Sequence, residues 1–315
     1  MVLLLPAPSE PLPKARLLEE FVSLVRRHTS FDGENLLAIP SLKFYRYAAP
    51  SKSECQFTKV SLIFSVQGSK TVTVGDSSHT YDAEHCLLTL LDMPASGHVE
   101  SASPERPTFC VAFEVDMKLV ADLVGLRELP PPDETPVGLE ISVGRLPLEV
   151  LDAVYRLARL LDTPKHIAML APMLEREIIY RLLMSQQGMR LRHALLTENR
   201  LSKVSKAIEW IKARYDTAFR IDELAAHVNM STSSLHQHFK DATTLSPLQF
   251  QKRLRLVAAR QQLIKRGSDV RVVASAVGYD NLSQFHREYK RLFGAPPIQD
   301  ASRQRSNFSS NMQAS

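Results

Sequence analysis

The amino-acid sequence predicts an α+β protein, in which a small antiparallel β-barrel with helices precedes an all-α domain containing two helix-turn-helix units. Three observations support this prediction. The chain of 315 residues is long enough for two domains. Short runs rich in β-branched and aromatic residues dominate the first third, and helical periodicity dominates the last. The helical part also carries an internal repeat with an offset of 49 to 50 residues.

The first elements in chain order are one helix and a series of short strands. Apolar residues at helical spacing predict a helix over Lys14–His28. Strands are predicted over Ser41–Tyr47, Val60–Val66, Thr71–Val74, His79–Tyr81, Cys86–Leu91 and Thr108–Val115. Turn-forming residues separate them, among them Pro94–Gly97 and Ser103–Pro107. Short strands at close spacing favour an antiparallel barrel over about residues 30–115.

Helical patterns follow the strands. Asp116–Leu123 is predicted to be a short helix, Pro130–Pro136 a loop, and Leu148–Leu161 an amphipathic helix. Pro172 suits the first turn of the next helix, which runs to about Gln186. From there to Ser302 the pattern predicts helices almost throughout.

The internal repeat has the layout of a helix-turn-helix. Each copy begins with a short helix that has a small residue near its middle, Ala225 or Ala274, where a second helix can cross closely. A tight turn follows, for which Asn229 and Gly278 are suitable because both tolerate a positive φ angle. The second copy has one extra residue in this turn.

The second helix of each copy is predicted to have an N-cap, a buried stripe and a polar face. Ser231 and Asn281 are the caps, and Gln284 completes a capping-box-like pattern. The polar faces hold Ser233, His236, Gln237 and Lys240 in the first copy, and Ser283, Gln284, His286 and Arg287 in the second. A polar face opposite a buried stripe is usually only solvated. Two copies with the same cap and stripe instead favour contacts with DNA base edges and phosphates.

The segment between the copies predicts a long spacer helix over Pro247–Arg266. Its charged side chains are expected on or near the surface: Lys252, Arg253, Arg255 and Arg260. A rigid spacer can place the two recognition helices in successive major grooves, about 34 Å apart on one face of DNA.

Charge is distributed unevenly between the two halves. From residue 197 onward there are 19 Lys and Arg against 10 Asp and Glu, whereas residues 1–196 have 20 against 24. A basic half joined to an acidic half suggests that one part meets a polyanion, although a chance bias in a solvated surface explains the charge alone equally well.

These motifs resemble the AraC/XylS family of bacterial transcription regulators over about residues 201–298. The resemblance lies in Asp222-Glu223-Leu224-Ala225-Ala226, Met230-Ser231, Leu235-x-x-x-Phe239-Lys240, Ser246-Pro247, Arg253-Leu254-Arg255, Ala276-Val277-Gly278-Tyr279, Ser283-Gln284-Phe285-x-Arg287 and Phe293-Gly294-x-x-Pro297. It implies seven helices and activation or repression of transcription. It also implies base-facing positions at Ser233, His236, Gln237, Ser283, Gln284 and Arg287. Arg220 and Leu282 depart from the family pattern, in which small or polar residues are common.

The first half is similar to the cupin-like N-terminal region of one AraC subgroup. The similarity lies in Gln67-Gly68-x-Lys70, Gly75-Asp76, Tyr81-Asp82, Asp92-x-Pro94, Pro104-Glu105-Arg106-Pro107, Leu160-Leu161-Asp162-x-Pro164 and Leu170-Ala171-Pro172-x-Leu174-Glu175-Arg176-Glu177. It implies a regulatory barrel over residues 14–195 with helices that pair in a homodimer, followed by a DNA-binding domain over residues 197–302. The segments 1–13 and 303–315 are expected to be disordered tails.

Enzymatic and metal chemistry are not expected. His79, His85 and His98 lack the spacing of a cupin metal site, and His79 is interpreted as a surface-turn residue. Neither a nucleophile–base pair nor a cofactor motif is evident. The three cysteines, Cys55, Cys86 and Cys110, are most simply small apolar residues, with a thiol-based sensor as the alternative.

The partners expected from the sequence are double-stranded DNA and a second copy of the chain, with RNA polymerase and a small-molecule effector left open. The competing hypotheses are a regulator whose barrel only mediates protein contacts and a cupin-type enzyme. The apolar run Val2–Leu5 lacks a basic flank, and no run approaches the ~20 residues of a membrane span. The expected location is therefore the bacterial cytoplasm, at the nucleoid, and no membrane contact is expected.

Overall fold

The computed structural model describes residues 13–52, 56–74, 77–125, 141–196, 200–266, 269–303 and 305. Within these ranges the first half contains antiparallel sheets with flanking helices, and the second half is helical. The predicted α+β class is therefore confirmed. The predicted loop over Pro130–Pro136 and nearly all of both predicted tails lie outside the described residues.

The larger sheet has one face packed against helices and the other turned toward the smaller sheet. Its six described strands, in spatial order, are β1 (Gly33–Leu36), β2 (Leu42–Tyr47), β10 (Thr108–Glu114), β5 (Ser61–Gln67), β8 (His85–Thr89) and β11 (Ile141–Arg145). Alternation along β2 separates the two faces. Leu42 and Phe44 are buried in the cluster under the helices, whereas Tyr45 and Tyr47 pack against the cluster between the sheets.

The smaller sheet completes the predicted barrel. In the described part of the chain it contains β3 (Ser51–Lys52), β9 (Met93–Val99), β6 (Lys70–Val74) and β7 (Ser77–Tyr81) in that order, and β4 (Gln56–Thr58) also pairs with β9. On its outer face Thr71 bonds the hydroxyl of Thr80 at 2.8 Å. Val72 and Val74 point inward and are buried with residues of the larger sheet. The barrel is thus a pair of facing sheets that share a core.

Helices cover the outer face of the larger sheet. They are α1 (Lys14–Arg27), α2 (Met117–Val124), α3 (Leu148–Arg159), α4 (Ile167–Met184) and α5 (Gln186–Leu196), with short 3₁₀ turns at Leu160–Asp162 and Pro164–His166. Phe21 of α1 packs edge-on against Phe44 and Phe64 of the sheet. Arg156 ties α3 to α4 through two hydrogen bonds to Glu177, of 2.7 and 2.9 Å, and these bonds hold the pKa of Glu177 at about 2.

Two predictions that depended on prolines are wrong. The expected turn Pro94–Gly97 lies inside β9. A proline is tolerated at position 94 because β6 pairs with β9 only at residues 96–98, so the missing N–H of Pro94 breaks no bond to β6. Pro172 is the sixth residue of α4 rather than part of its first turn. Pro172 and Ala168 are both exposed, so water can reach the carbonyl that a proline nitrogen cannot bond.

The helical half contains α6 (Arg200–Ala213), α7 (Ile221–His227), α8 (Thr232–Thr243), α9 (Pro247–Arg266), α10 (Val270–Ala276) and α11 (Leu282–Phe293), and residues 297–303 are also helical. With this last segment, the described residues after 200 form the seven helices that the resemblance implies. Among the helices of the described ranges, none combines the length and apolar character that a membrane span requires.

One side chain of α9 is more deeply buried than the sequence analysis predicts. Arg260, expected on or near the surface, is only 6% exposed. Its guanidinium bonds both carboxylate oxygens of Asp300, at 2.7 and 3.1 Å. The buried ion pair draws Arg260 inward and joins α9 to the helical segment after α11.

Candidate nucleic-acid interface

The first helix-turn-helix unit is formed by α7, a tight turn and α8. Asn229 in the turn has a φ angle of 51°, as predicted. The Ser231 hydroxyl accepts a hydrogen bond of 3.2 Å from the Ser234 backbone and so caps α8. Leu235 and Phe239 are fully buried, and the Phe239 ring meets Phe250 of α9 edge-on at 5.3 Å. These contacts leave the opposite side of α8 to solvent.

The second unit, α10 and α11, repeats this arrangement. Gly278 has a φ angle of 85°, and a Cβ atom there would overlap the Asp216 carbonyl, so the turn requires glycine. Asn281 caps α11 by accepting a 3.0 Å bond from the Gln284 backbone. Phe285 and Tyr289 are fully buried. The predicted turn, cap and stripe are therefore confirmed in both copies.

The repeat extends to the ends of the two second helices. Thr244 ends α8 with a φ angle of 62°, and Gly294 ends α11 with a φ angle of 77°. Each donates its backbone N–H at 2.8 Å to the carbonyl four residues earlier, on Lys240 and Lys290 respectively. The two helices thus begin and end in the same way, so corresponding side chains point in corresponding directions.

The residues predicted to meet DNA are not equally accessible. In α8 all four are exposed: Ser233, His236, Gln237 and Lys240. In α11, Ser283 and Arg287 are exposed, whereas Gln284 and His286 are half-buried. Three exposed positions correspond at an offset of 50, namely Ser233 with Ser283, Gln237 with Arg287 and Lys240 with Lys290, whereas exposed His236 corresponds to half-buried His286.

Gln284 is held by a buried carboxylate rather than by the helix cap. Its side-chain amide donates to Glu288 at 3.1 Å, so the predicted capping box does not form. Glu288 also accepts bonds from Tyr279, at 2.7 Å, and Lys252, at 3.1 Å. Burial opposes ionisation of Glu288, but these hydrogen bonds outweigh it and lower the pKa of the carboxyl group.

Lys290 was not singled out from the sequence, yet it occupies the same position in α11 as Lys240 in α8. Both ammonium-bearing residues are exposed on the polar faces. The offset of 50 residues that aligns the two caps and the two buried stripes also aligns these lysines. The repeat in the sequence therefore already contains the signal that points to Lys290.

The two units are joined through α9. Arg255 donates from Nε to the Tyr215 carbonyl and from Nη1 to the Gly278 carbonyl, both at 2.6 Å. Gln251 donates to the carbonyls of Tyr215, at 3.1 Å, and Thr217, at 2.5 Å. Arg255 therefore bonds the segment before α7 and the turn of the second unit at once, which fixes the spacing between the units.

Among the residues that the structure describes, no cluster of three metal-ligating side chains occurs. His79 lies in β7 rather than on a surface turn. Cys86 and Cys110 are buried; burial raises the pKa of Cys86 to about 12 and also raises that of Cys110. Protonated thiols react poorly, which disfavours these two as sensors. Cys55 lies outside the described residues.

Known protein families match both halves of the chain. Residues 38–190 match the model described as the N-terminus of AraC-type transcriptional regulators, and residues 224–303 match a helix-turn-helix domain model. The transcriptional regulator GbdR of Pseudomonas aeruginosa is 32% identical over 111 residues, which are 35% of this chain and only 30% of GbdR. The transcriptional activator RhaS of Escherichia coli is 26% identical over 228 residues, which are 72% of this chain and 76% of RhaS.

Solved structures share the fold of both halves. An apo form of ToxT from Vibrio cholerae gives a TM-score of 0.57 at 11% identity, covering 83% of this chain and 97% of the ToxT chain. ToxT with a bound unsaturated fatty acid gives a TM-score of 0.55 at 11% identity, covering 82% of this chain and 94% of the ToxT chain. At such identity the likeness concerns the fold alone.

Proposed function

This chain belongs to the AraC/XylS family of transcription regulators, and we propose that it binds specific double-stranded DNA sequences through its helical half and thereby regulates transcription. The observation that carries this proposal is the duplicated unit with matching turns, caps, buried stripes and exposed polar faces. A single solvated helix face would not require a second copy held at a fixed distance.

The proposed contact residues are the polar faces of α8 and α11. They are Ser233, His236, Gln237 and Lys240 in the first unit, and Ser283, Gln284, His286, Arg287 and Lys290 in the second. Gln237 and Arg287 can make bidentate contacts with base edges, and the lysines suit phosphates. The 20 residues of α9 span about 30 Å, close to the repeat of the major groove along one face of DNA.

We further propose that the two sheets and helices over residues 14–195 are a regulatory domain without enzymatic activity, controlled by a small molecule. The structural neighbour ToxT has been solved with a fatty acid bound. An ion pair between Asp92, just before β9, and Lys212 of α6 connects the sheets of this chain to its proposed DNA-binding domain, residues 197–302. A ligand between the sheets can therefore act on the helical half through β9. A barrel that mediates only protein contacts is the alternative.

The proposal predicts that DNA binding by the full chain weakens steeply with salt. Lysine and arginine contacts release counterions from DNA, so log K should fall linearly with log salt, by about 0.9 for each phosphate contacted. Removing the ammonium group in Lys290→Ala should make the slope shallower by about 1. Fluorescence anisotropy with labelled duplex DNA measures both slopes.

The control for this titration is Lys165→Ala, which removes an exposed charge from the other half of the chain. It should leave the slope unchanged. Binding that does not depend on salt, or the same slope for Lys290→Ala as for the unmodified protein, would contradict the proposed interface.

An exposed apolar stripe on α4 supports the homodimer. Met169, Met173, Tyr180 and Met184 lie within one face of the helix and are between 46% and 74% exposed. A second copy of α4 would cover this stripe with an identical one. Met173→Asp would place two carboxylates together at such an interface, so sedimentation velocity should show a shift from dimer to monomer.

Lys165→Asp, an exposed change just before α4, is the matched control and should leave the dimer intact. A monomeric unmodified protein at micromolar concentration, or a Met173→Asp variant that stays dimeric, would contradict this interface.

RNA polymerase contact and a nucleoid location in the cytoplasm follow from the proposed role in transcription.

A further inference from the structure

The exposed face of α8 contains a side-chain amide whose orientation is fixed within the helix. Gln237 and Asp241 are four residues apart, and Gln237 donates from Nε2 to a carboxylate oxygen of Asp241 at 2.8 Å. Side chains at this spacing are neighbours on a helix surface, and a bond between glutamine and aspartate stabilises the helix. An ionised carboxylate has acceptors alone, so the amide nitrogen faces Asp241 and the amide oxygen is turned away from it.

The bond to Asp241 leaves one donor and one acceptor of the amide for another molecule. A glutamine amide has two N–H donors and one carbonyl oxygen, and Asp241 takes one of the donors. Among the described residues, no hydrogen bond reaches the Gln237 oxygen. Gln237 and Asp241 are both exposed. Gln237 therefore presents one N–H group beside one oxygen to whatever meets this face of α8.

A donor beside an acceptor matches adenine and does not match guanine. In the major groove adenine offers the N7 acceptor and the N6 amino donor, whereas guanine offers two acceptors, N7 and O6. An unrestrained glutamine amide can turn both of its N–H groups toward guanine, but Asp241 occupies one of them. The carboxylate thus removes the arrangement that would compete with adenine.

Asp241 stands where a carboxylate is electrostatically unfavourable. It lies in the last turn of α8, which ends at Thr243, and there the negative end of the helix dipole disfavours an acid. An exposed carboxylate on a surface that approaches DNA is also repelled by the phosphates. Both effects oppose an acid at this position, whereas the fixed orientation of Gln237 is a favourable consequence of having one.

The second unit has a different pair of residues at the corresponding positions. The offset of 50 aligns Gln237 with Arg287. It also aligns Asp241 with Arg291, and both arginines are exposed. A guanidinium has donors and no acceptor, so it needs no neighbour to fix its hydrogen-bonding pattern, and it suits the two acceptors of guanine. The two recognition helices therefore carry different hydrogen-bonding patterns at one corresponding position.

We propose that Asp241 is a positioning residue that makes Gln237 select adenine, so that α8 reads adenine where α11 reads guanine. The inference rests on the proposed function, because it names the base that one recognition helix selects. Asp241 acts through Gln237 and needs no contact with DNA itself. A direct repeat of one half-site would place the same base at both positions and would satisfy only one of the two units.

Selection of sequences from random duplexes by the full chain, unmodified and as Gln237→Ala, locates the position that Gln237 reads. The unmodified protein should select adenine there, and replacing that adenine with guanine should weaken its binding by about 10- to 100-fold. Asp241→Ala should reduce this discrimination by about 3- to 10-fold. Its affinity for unrelated duplexes should stay equal or rise, because a negative charge is lost. A merely structural role of Asp241 would lower affinity for every sequence.

Two adenine analogues test the two bonds to the base separately. 7-Deazaadenine lacks the N7 acceptor, and purine lacks the N6 amino group. Each should weaken binding of the unmodified protein by about 3- to 10-fold, and each should matter less for Asp241→Ala. Asp241→Asn keeps an acceptor oxygen beside Gln237 and should retain part of the adenine preference.

Asp216→Ala is the matched control, because it removes an exposed carboxylate from the helical half outside both recognition helices. It should keep the full adenine preference. A preferred base other than adenine at the position that Gln237 reads, or unchanged discrimination in Asp241→Ala, would overturn the proposal. Absence of any sequence preference in the unmodified protein would contradict the proposed function itself, and this inference with it.

Discussion

Asp300→Ala is expected to lower the free energy of unfolding of the helical half by about 3–5 kcal/mol, the cost of leaving a buried charge without its partner. Asp300 is fully buried and accepts two hydrogen bonds from Arg260, one of 2.9 Å from Tyr289 and a longer one of 3.4 Å from Arg303. Alanine removes the carboxylate that bonds the buried Arg260 guanidinium twice. Urea unfolding followed by circular dichroism measures the change.

The effect should reach DNA binding because of where the pair lies. Arg260 belongs to α9, Tyr289 to the recognition helix α11, and Asp300 to the segment that follows it. The carboxylate therefore fixes α11 against the spacer, and its loss should weaken DNA binding together with stability.

Asp222→Ala is the matched control, since it breaks the exposed ion pair with Arg220 and should leave stability unchanged within error. The double variant Arg260→Met with Asp300→Leu should recover part of the lost stability, because no charge is left buried. If Asp300→Ala were as harmless as Asp222→Ala, the buried pair would not hold the domain together.

The helix-turn-helix units could be predicted from sequence because their signals are local. The turn residues Asn229 and Gly278 and the caps Ser231 and Asn281 act within a few positions of themselves. Each signal also appears twice, so that one copy supported the interpretation of the other. Turn residues and helix caps that occur twice at the same spacing in one chain are strong evidence for a duplicated structural unit.

The strands β9 and β11 were missed because their pairing and packing are not local. β11 pairs with β8, far earlier in the chain, and its pattern is interrupted by Ser142 and Gly144. Those small residues accommodate Gln187 of α5: Ser142 bonds its side chain at 2.9 Å, and any side chain on Gly144 would collide with it. The small residues of this strand are therefore required by contacts with α5, a helix about forty residues later in the chain.

Side-chain directions at the interface also divide into those set by local periodicity and those set by tertiary contacts. The exposed face of α8 follows from helical periodicity alone, and His236 and Gln237 lie where it predicts. Gln284 and Arg260 do not, because buried carboxylates attract them: Glu288 turns Gln284 away from the cap, and Asp300 draws Arg260 inward. Periodicity gives the face of a residue, whereas the partners of long polar side chains depend on tertiary contacts.

Arg287→Ala is expected to weaken binding to the preferred DNA sequence by about 1–3 kcal/mol, and much less to unrelated duplex DNA. Arg287 is exposed on α11 beside Ser283, and a guanidinium can bond two acceptors of one guanine at once. Selection of bound sequences from random duplexes by the unmodified protein supplies the preferred site. Anisotropy titrations at one salt concentration then give the affinities.

Two further variants separate base reading from simple charge. Arg287→Lys keeps the charge but not the planar fork, so it should retain the salt slope and lose the base preference. Arg214→Ala removes an exposed arginine outside both recognition helices and should not change the preferred sequence. Equal loss on every DNA sequence would make Arg287 a phosphate contact, and no loss at all would remove it from the interface, leaving α11 without its proposed base-reading arginine.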